Sequence, residues 1–370
     1  MTEAAWQVRP GILDIEPYEG GKSKLKGQNR VIKLSSNEGA LGPSPKAVAA
    51  FRAAAKTLHR YPDGGSIALR EAIAKRFNLD GDLITCGAGS DELLGLVGRA
   101  FAGPGDEVIY TEHGFLIYPI IAKSLGAIPV KAPEKNLTAD VDAILSKVTA
   151  RTKIVYIANP NNPTGSYLPA SEMKRLRAAL PREVVLVVDA AYAEFVTAKD
   201  YEPGVAMVDL ARQLGDDNVI MTRTFSKVFG LGGLRLGWAY APRSVTDLFN
   251  RIRMPFNVSA AAQAAGIAAL ADKAHTRRAV AHTIKWREWL ATRLTALGLT
   301  VHPSVANFVT VEFPAAGPHA MAAADAYLNS RGIIVRQIGK YGLPNCLRIT
   351  IGRAGETRAV AEALQKFMAG

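Results

Sequence analysis

The chain has 370 residues, 48% of them hydrophobic and 21% charged, with a formal net charge of +12 at pH 7. That length suits two domains, or one large domain with a smaller companion, and the composition excludes a largely disordered chain. Basic residues are scattered among acidic ones, with no dense basic run interleaved with aromatics, so the expected partners are anionic small molecules rather than nucleic acid.

Residues 1–30 mix Pro10, Pro17 and several glycines with Lys22, Lys24 and Lys26, which reads as an extended arm. Met1 to Gly11 has no apolar core of signal-peptide length, so nothing directs export. A short strand is expected over Val31 to Ser35, a turn over Gly42 to Pro45 and a helix from Lys46 to Leu58. The Tyr61-Pro-Asp-Gly-Gly65 loop follows, and Ser66 opens a further helix. Strands at 83–86, 107–110, 128–130, 154–158, 184–188 and 219–222 then alternate with helices at 90–101, 118–125 and 170–180, a βαβ rhythm. The unbroken Val184 to Val188 run suits a strand buried on both faces.

Beyond Pro255 the texture changes to helices at 260–271 and 273–297, followed by strands near 308–311, 333–335 and 347–351. The expected division is an arm at 1–30, a part of the small domain at 31–55, a large domain at 56–257 and a small C-terminal domain at 258–370. Val258 to Ala271 is the most apolar long stretch and too short to cross a bilayer. Cys86 and Cys346 lack metal-ligand spacing and cannot form a disulfide framework, so buried thiols in a reducing cytoplasm are expected, and no metal.

Four constellations carry chemistry. Lys227 sits in Thr222-Arg-Thr-Phe-Ser-Lys227 ahead of Gly230, Gly232, Gly233 and Arg235. On an apolar wall a lysine loses solvation for its charged form and becomes a nucleophile suited to Schiff-base chemistry; the same pattern also fits an exposed loop cation. Gly87-Ala-Gly-Ser-Asp-Glu92 joins a strand to a helix with Ser90 as candidate N-cap, a place where free amides bind phosphate or simply make a capped turn. Asp189 ends an apolar strand with Tyr192 three residues on, either as a helix cap or as the carboxylate that keeps a pyridine nitrogen protonated. Asn159-Pro-Asn-Asn-Pro-Thr-Gly165 breaks off the preceding strand and offers side-chain amides to a ligand, or only turn chemistry.

The order Gly-x-Gly-Ser-Asp, Asn-Pro-Thr-Gly, Asp-x-x-Tyr, Ser-Lys and an arginine eight residues on resembles the fold-type I pyridoxal-phosphate aminotransferases. Leu34-Ser-Ser-Asn-Glu38, Leu41-Gly-Pro-Ser-Pro45, Arg60-Tyr-Pro-Asp-Gly64, Arg223-Thr-Phe-Ser-Lys227 and Leu347-Arg-Ile-Thr-Ile-Gly352 are similar to the histidinol-phosphate aminotransferase branch, and the resemblance spans residues 10–365. It implies an α/β fold: a large domain with a mostly parallel seven-stranded sheet between helices, plus a smaller α+β domain. It implies pyridoxal 5'-phosphate as cofactor, a homodimer as working unit, and no membrane partner.

Carried over by position, the resemblance implies that Lys227 bonds the cofactor's aldehyde, Asp189 pairs with its ring nitrogen, and Asn162 and Tyr192 hold its phenolic oxygen. The phosphate would rest on Gly89, Ser90 and Asp91, with Thr224, Ser226 and Arg235; Phe115 would stack on the ring, and Tyr61 would reach into the partner's site. Arg348 and Arg336 would grip an anionic group of the substrate, with Tyr18, Asn37 and Asn307 lining the same pocket; either arginine also fits a surface ion pair. The sequence departs from the family at Gly39-Ala40, Ala190 and His113-Gly114.

The expected reaction is transamination between L-histidinol phosphate and 2-oxoglutarate, giving imidazole-acetol phosphate and glutamate for histidine biosynthesis. The rivals are an aromatic aminotransferase for phenylalanine or tyrosine, a dual-specificity enzyme, a phosphothreonine decarboxylase and a pyridoxal-phosphate-binding regulator. Residues 1–30 are too short for the DNA-binding segment that a regulator needs. A nicotinamide dehydrogenase is disfavoured because residues 87–92 do not make a full dinucleotide fingerprint.

Overall fold

The computed structural model describes residues 7–28 and 30–370; the first six residues of the expected arm and Asn29 lie outside them. The arm residues that are described, 7–28 and 30, contain no helix or strand. Its Gly21 passes against Ser35, where an added Cβ would come within 2.8 Å of the serine carbonyl.

The large sheet has seven strands in the order Ile84–Gly87, Gly237–Tyr240, Val219–Thr224, Val185–Asp189, Thr152–Ala158, Glu107–Thr111 and Ile128–Ala132. All pair in parallel except Gly237–Tyr240, which runs antiparallel to both neighbours. The Val185–Asp189 strand is fully buried, as its unbroken apolar run predicts. Helix Ser90–Phe101 matches the expected span, but Gly89 occupies the N-cap with φ 88° and Ser90 is the first helical residue, which corrects Ser90 as cap. Ser66 likewise precedes its helix without capping it; the Asp63 carboxylate accepts from the amides of Gly65 and Ile67 instead.

The second layer is a four-stranded antiparallel sheet in the order Thr300–His302, Phe308–Glu312, Cys346–Thr350, Arg336–Gln337. Helices Met321–Ser330 and Ala354–Ala369 join it, and Ile32–Lys33 pairs in parallel with Ile333–Ile334.

The division at residue 257 is corrected by packing. Val258, Ala262, Ala265, Ala269 and Leu270 belong to the same core as Leu69, Leu186 and Met221 of the large unit, and Ala279 joins them. Trp286, Leu290 and Leu294, further along helix Lys273–Thr295, pack instead with Val309, Leu347 and Leu364. The changeover therefore falls inside one long helix. Helix Pro45–Ala54 also packs on Ala260–Ala271, so of the expected 31–55 segment only residues 32–34 join the smaller core. Gly266 lets Ala260–Ala271 close on the large unit, since a Cβ there would meet Leu236 at 2.6 Å. Among the described residues no helix is long and apolar enough to cross a membrane.

Candidate active site

The carboxyl ends of Val185–Asp189 and Val219–Thr224 open into a cavity of about 320 Å³ between the two layers. Open α/β sheets bind ligands there because loops diverge beyond the strand ends. Its wall includes Lys227, Asp189, Tyr192, Asn162, Ser90, Asp91, Phe115, Thr224, Ser226, Arg235, Tyr18, Asn37, Arg336 and Arg348.

Lys227 lies three residues beyond its strand, with Nζ 5.6 Å from the centre of the Tyr192 ring. Burial, and then the positive charge of Arg348, lower its ammonium to about 8 from an ordinary 10.5. Asp189 ends its strand fully enclosed. Burial raises its carboxyl to about 6, against the opposing effect of hydrogen bonds donated by the hydroxyls of Tyr118 at 2.9 Å and Thr222 at 3.3 Å. Tyr192 is pushed up to about 12 by burial and keeps its phenolic proton at neutral pH; it accepts a hydrogen bond from the Asn37 amide at 2.9 Å.

At the other end of the cavity, Ser90 and Asp91 begin helix Ser90–Phe101, where backbone amides are free and the helix dipole is positive. Thr224 and Ser226 share a hydroxyl hydrogen bond of 3.0 Å, and Arg235 reaches in with its guanidinium 3.0 Å from the Asp91 carboxylate. Gly89 lies behind that guanidinium rather than on the wall: a Cβ there would come within 2.4 Å of the arginine nitrogen. The result is a compact cradle of amides, hydroxyls and one cation, the donor set a phosphate requires.

Among the described residues neither Arg348 nor Arg336 forms an ion pair. Arg348, only 5% exposed, donates to the Asn162 side-chain oxygen and to the Ser35 carbonyl at 2.8 Å. Its Nε is buried without a hydrogen-bond partner among the described residues. Arg336 donates to the arm carbonyls of Gly20 at 2.7 Å and Glu19 at 2.6 Å. Among the described residues both guanidiniums donate to uncharged carbonyl oxygens and to no carboxylate, which leaves their charge available to an anion.

Besides Gly89, two expected residues lie off this wall. Asn307 is buried behind the wall, donating to the Asn37 and Glu38 carbonyls, so it shapes the segment that lines the cavity. Tyr61 is 83% exposed and stacks on Phe256 with ring centres 4.7 Å apart, away from this cavity. Sequence reasoning missed Tyr118 and Thr350, the latter accepting from the Asn37 amide at 2.9 Å while donating to its side-chain oxygen at 3.0 Å. Tyr118 stands in no motif, and Thr350 lies in Leu347-Arg-Ile-Thr-Ile-Gly352, where only Arg348 carries an expected role. The Gly39 departure has a local cause, because a Cβ there would lie 2.6 Å from the Lys227 carbonyl. His113 places Nδ1 2.6 Å from the Tyr341 carbonyl, bracing the loop that carries Phe115.

Residues 29–367 match the family model described as "Aminotransferase class I and II". The chain is 59% identical over 361 residues to a histidinol-phosphate aminotransferase of Rhodospirillum centenum, covering 98% of both chains. It is 57% identical over 360 residues to one of Paramagnetospirillum magneticum, covering 97% of this chain and 98% of that protein. A solved histidinol-phosphate aminotransferase of Sinorhizobium meliloti, in complex with pyridoxal-5'-phosphate, superposes with a TM-score of 0.88 at 28% identity, covering 100% of this chain and 99% of the other. With a lysine of lowered basicity, a buried carboxylate and a phosphate cradle on one cavity wall, this chain belongs to the class I and II aminotransferases of fold type I.

Proposed function

We propose that the chain transfers the amino group of L-histidinol phosphate to 2-oxoglutarate, with pyridoxal 5'-phosphate as cofactor. The observation that carries this reading is the single cavity holding Lys227 and Asp189 together with three arginines. Arg235 lies in the cradle, and Arg336 and Arg348 lie across from it, which suits one phosphate on the cofactor and a second anion on the substrate. Relatives of 57% and 59% identity named for this activity support the substrate.

The residues present fit the cofactor. The orphaned Arg348 Nε and the cradle of first-turn amides at Ser90 and Asp91, Thr224 and Ser226 hydroxyls and the Arg235 guanidinium both ask for a bound group. When bound, pyridoxal phosphate supplies an aldehyde and an electron-withdrawing ring. Ser90, Asp91, Thr224, Ser226 and Arg235 would hold its phosphate, with Gly89 leaving room for the Arg235 guanidinium; Asp189 would keep a proton on its ring nitrogen, and Asn162 and Tyr192 would face its phenolic oxygen. Phe115 would cover the ring face.

Lys227 performs the proton work. An amine near 8 exists in both forms at neutral pH, so it takes a proton from the substrate carbon and returns one without a large free-energy cost. Asp189, although costly to ionise alone, becomes an ion-pair partner once a cationic ring nitrogen stands beside it. Arg348 and Arg336 orient the anionic ends of donor and acceptor, and the arm carbonyls of Glu19 and Gly20 hold the Arg336 guanidinium in place.

An amino-donor panel of histidinol phosphate, phenylalanine and tyrosine on the pyridoxal-phosphate-loaded protein tests the substrate. A phenylalanine or tyrosine preference of tenfold or more in kcat/KM would move the reading to an aromatic aminotransferase. The exposed Tyr61–Phe256 stack, with Leu58, Ile67 and Met254 also exposed, supports a homodimer in which this apolar face is covered by a second copy. Light scattering at micromolar concentration tests that; a 39.5 kDa particle would refute it.

A further inference from the structure

The smaller sheet carries a second cluster with ligand chemistry. His302, Glu312 and Cys346 are not spaced as a metal motif, but three neighbouring strands bring their ligating atoms within 4.8 Å of one another. Glu312 lies directly across from Cys346 in the register, so their side chains share a face, and His302 stands diagonally across from Glu312 on that same face.

The details favour a ligand set over an ordinary ion pair. His302 Nε2 stands 3.3 Å from Glu312 Oε2, yet it is buried and makes no hydrogen bond among the described residues. A desolvated ring nitrogen without a partner is costly. Two ligands each 2.0–2.1 Å from one zinc ion in a tetrahedron stand about 3.3 Å apart, the separation found here. Cys346 supplies a soft sulfur that hard cations such as calcium and magnesium do not select. Glu312, with its side chain 47% exposed, leaves a side open to solvent, and His302 lines a separate cavity of about 270 Å³ with Asn136, Gly165 and Ser304 that offers an entry path.

We propose that His302, Glu312 and Cys346 bind a thiophilic divalent cation, zinc, with a water molecule on the fourth vertex. Binding forms Zn–N, Zn–O and Zn–S bonds and releases the thiol proton to solvent; no electron is transferred. The ion joins strands Thr300–His302, Phe308–Glu312 and Cys346–Thr350, the last of which carries Arg348 two residues beyond the ligand and on the same face. It therefore acts as a clasp on the strand that presents the substrate arginine, without belonging to the amino-transfer site.

The test uses untagged, pyridoxal-phosphate-loaded protein stripped of metal and titrated with zinc against a chromophoric chelator. One equivalent is expected per chain, with affinity lowered at least tenfold in Cys346→Ser and in His302→Ala. Cys86→Ser, which alters the other thiol, keeps wild-type affinity. A melting temperature that rises with free zinc in wild type and stays flat in Cys346→Ser is the second readout. Equal melting of the two proteins in zinc-free buffer shows that the serine variant is folded. Cobalt substitution should add thiolate-to-metal charge-transfer absorbance that Cys346→Ser abolishes. Wild-type binding no tighter than that of Cys346→Ser, affinity unchanged by His302→Ala, or loss in Cys86→Ser equal to that in Cys346→Ser overturns the proposal.

Discussion

The Asn37 side-chain amide donates to the Tyr192 hydroxyl across 2.9 Å, joining residues 155 positions apart in the chain. Thr350 fixes Asn37 in turn, so the phenol is oriented by both layers of the molecule. Asn37→Ala should lower kcat/KM about tenfold, the worth of one buried hydrogen bond at about 1.4 kcal/mol. In a double-mutant cycle with Tyr192→Phe the losses should fall short of adding. Strict additivity would show that the bond does not position Tyr192.

Lys227 should govern cofactor uptake. Its amine reacts only when neutral, and its ordinary pKa is lowered to about 8. The rate at which the cofactor-free chain takes up pyridoxal phosphate should therefore fall about tenfold per pH unit below 8 and level off above it. Stopped-flow absorbance from pH 6 to 9 measures this, and a profile still climbing at pH 9 would contradict a lowered amine. Lys227→Ala should reduce amino transfer by about 10⁴ or more.

Asp189 should cost the cofactor-free chain stability. Its folded-state carboxyl is raised to about 6 from 3.8, so its contribution is full below pH 4 and is lost as pH rises through 6. Asp189→Asn stays neutral and should be the more stable protein at pH 7, by on the order of 3 kcal/mol, with the gap closing at pH 4. Urea midpoints at both pH values decide it; a gap that does not change with pH contradicts the raised carboxyl. Cofactor binding to the same variant should weaken.

Arg336 and Arg348 should separate in a substrate panel. Arg348 is fully enclosed and Arg336 is held only by two carbonyls of the arm. Arg348→Ala should cost every donor about 10- to 100-fold in kcat/KM, the range for losing charge-assisted hydrogen bonds. Arg336→Ala should cost phosphate-bearing donors selectively. Equal losses for histidinol phosphate and phenylalanine in Arg336→Ala would remove it from phosphate recognition.

Gly89 should be intolerant of a side chain. Its φ of 88° strains any residue with a Cβ, and that carbon would collide with the Arg235 guanidinium. Gly89→Ala should raise the dissociation constant for pyridoxal phosphate about tenfold while leaving the large sheet intact. Fluorescence titration checks the first effect and circular dichroism the second.

Much of this was legible because it repeats locally. The alternation of apolar runs with helical periods marks six of the seven large-sheet strands, and the motif residues from Ser90 to Arg235 gather on one wall. The exception, Gly237–Tyr240, reads Gly-Trp-Ala-Tyr directly after a glycine-rich turn and has no β-branched residue to mark it as a strand. Tyr118 was unreadable for another reason: it lies on an apolar helix, and only the tertiary packing aims its hydroxyl at Asp189. The domain limits failed because helix Lys273–Thr295 serves two cores with one continuous pattern. The cluster at 302, 312 and 346 depends on strand register, which spacing along the chain does not encode.

The parallel pairing of Ile32–Lys33 with Ile333–Ile334 sets a timetable for synthesis. A ribosome must have passed Ile334 before the early strand can find its neighbour, and Asn37, four residues beyond that strand, waits for Thr350. Until then the nascent chain can build its large sheet but not the wall that recognises a substrate. The pocket wall therefore closes only once Thr350 has been made, and a product terminated before it would be left with an unfinished pocket.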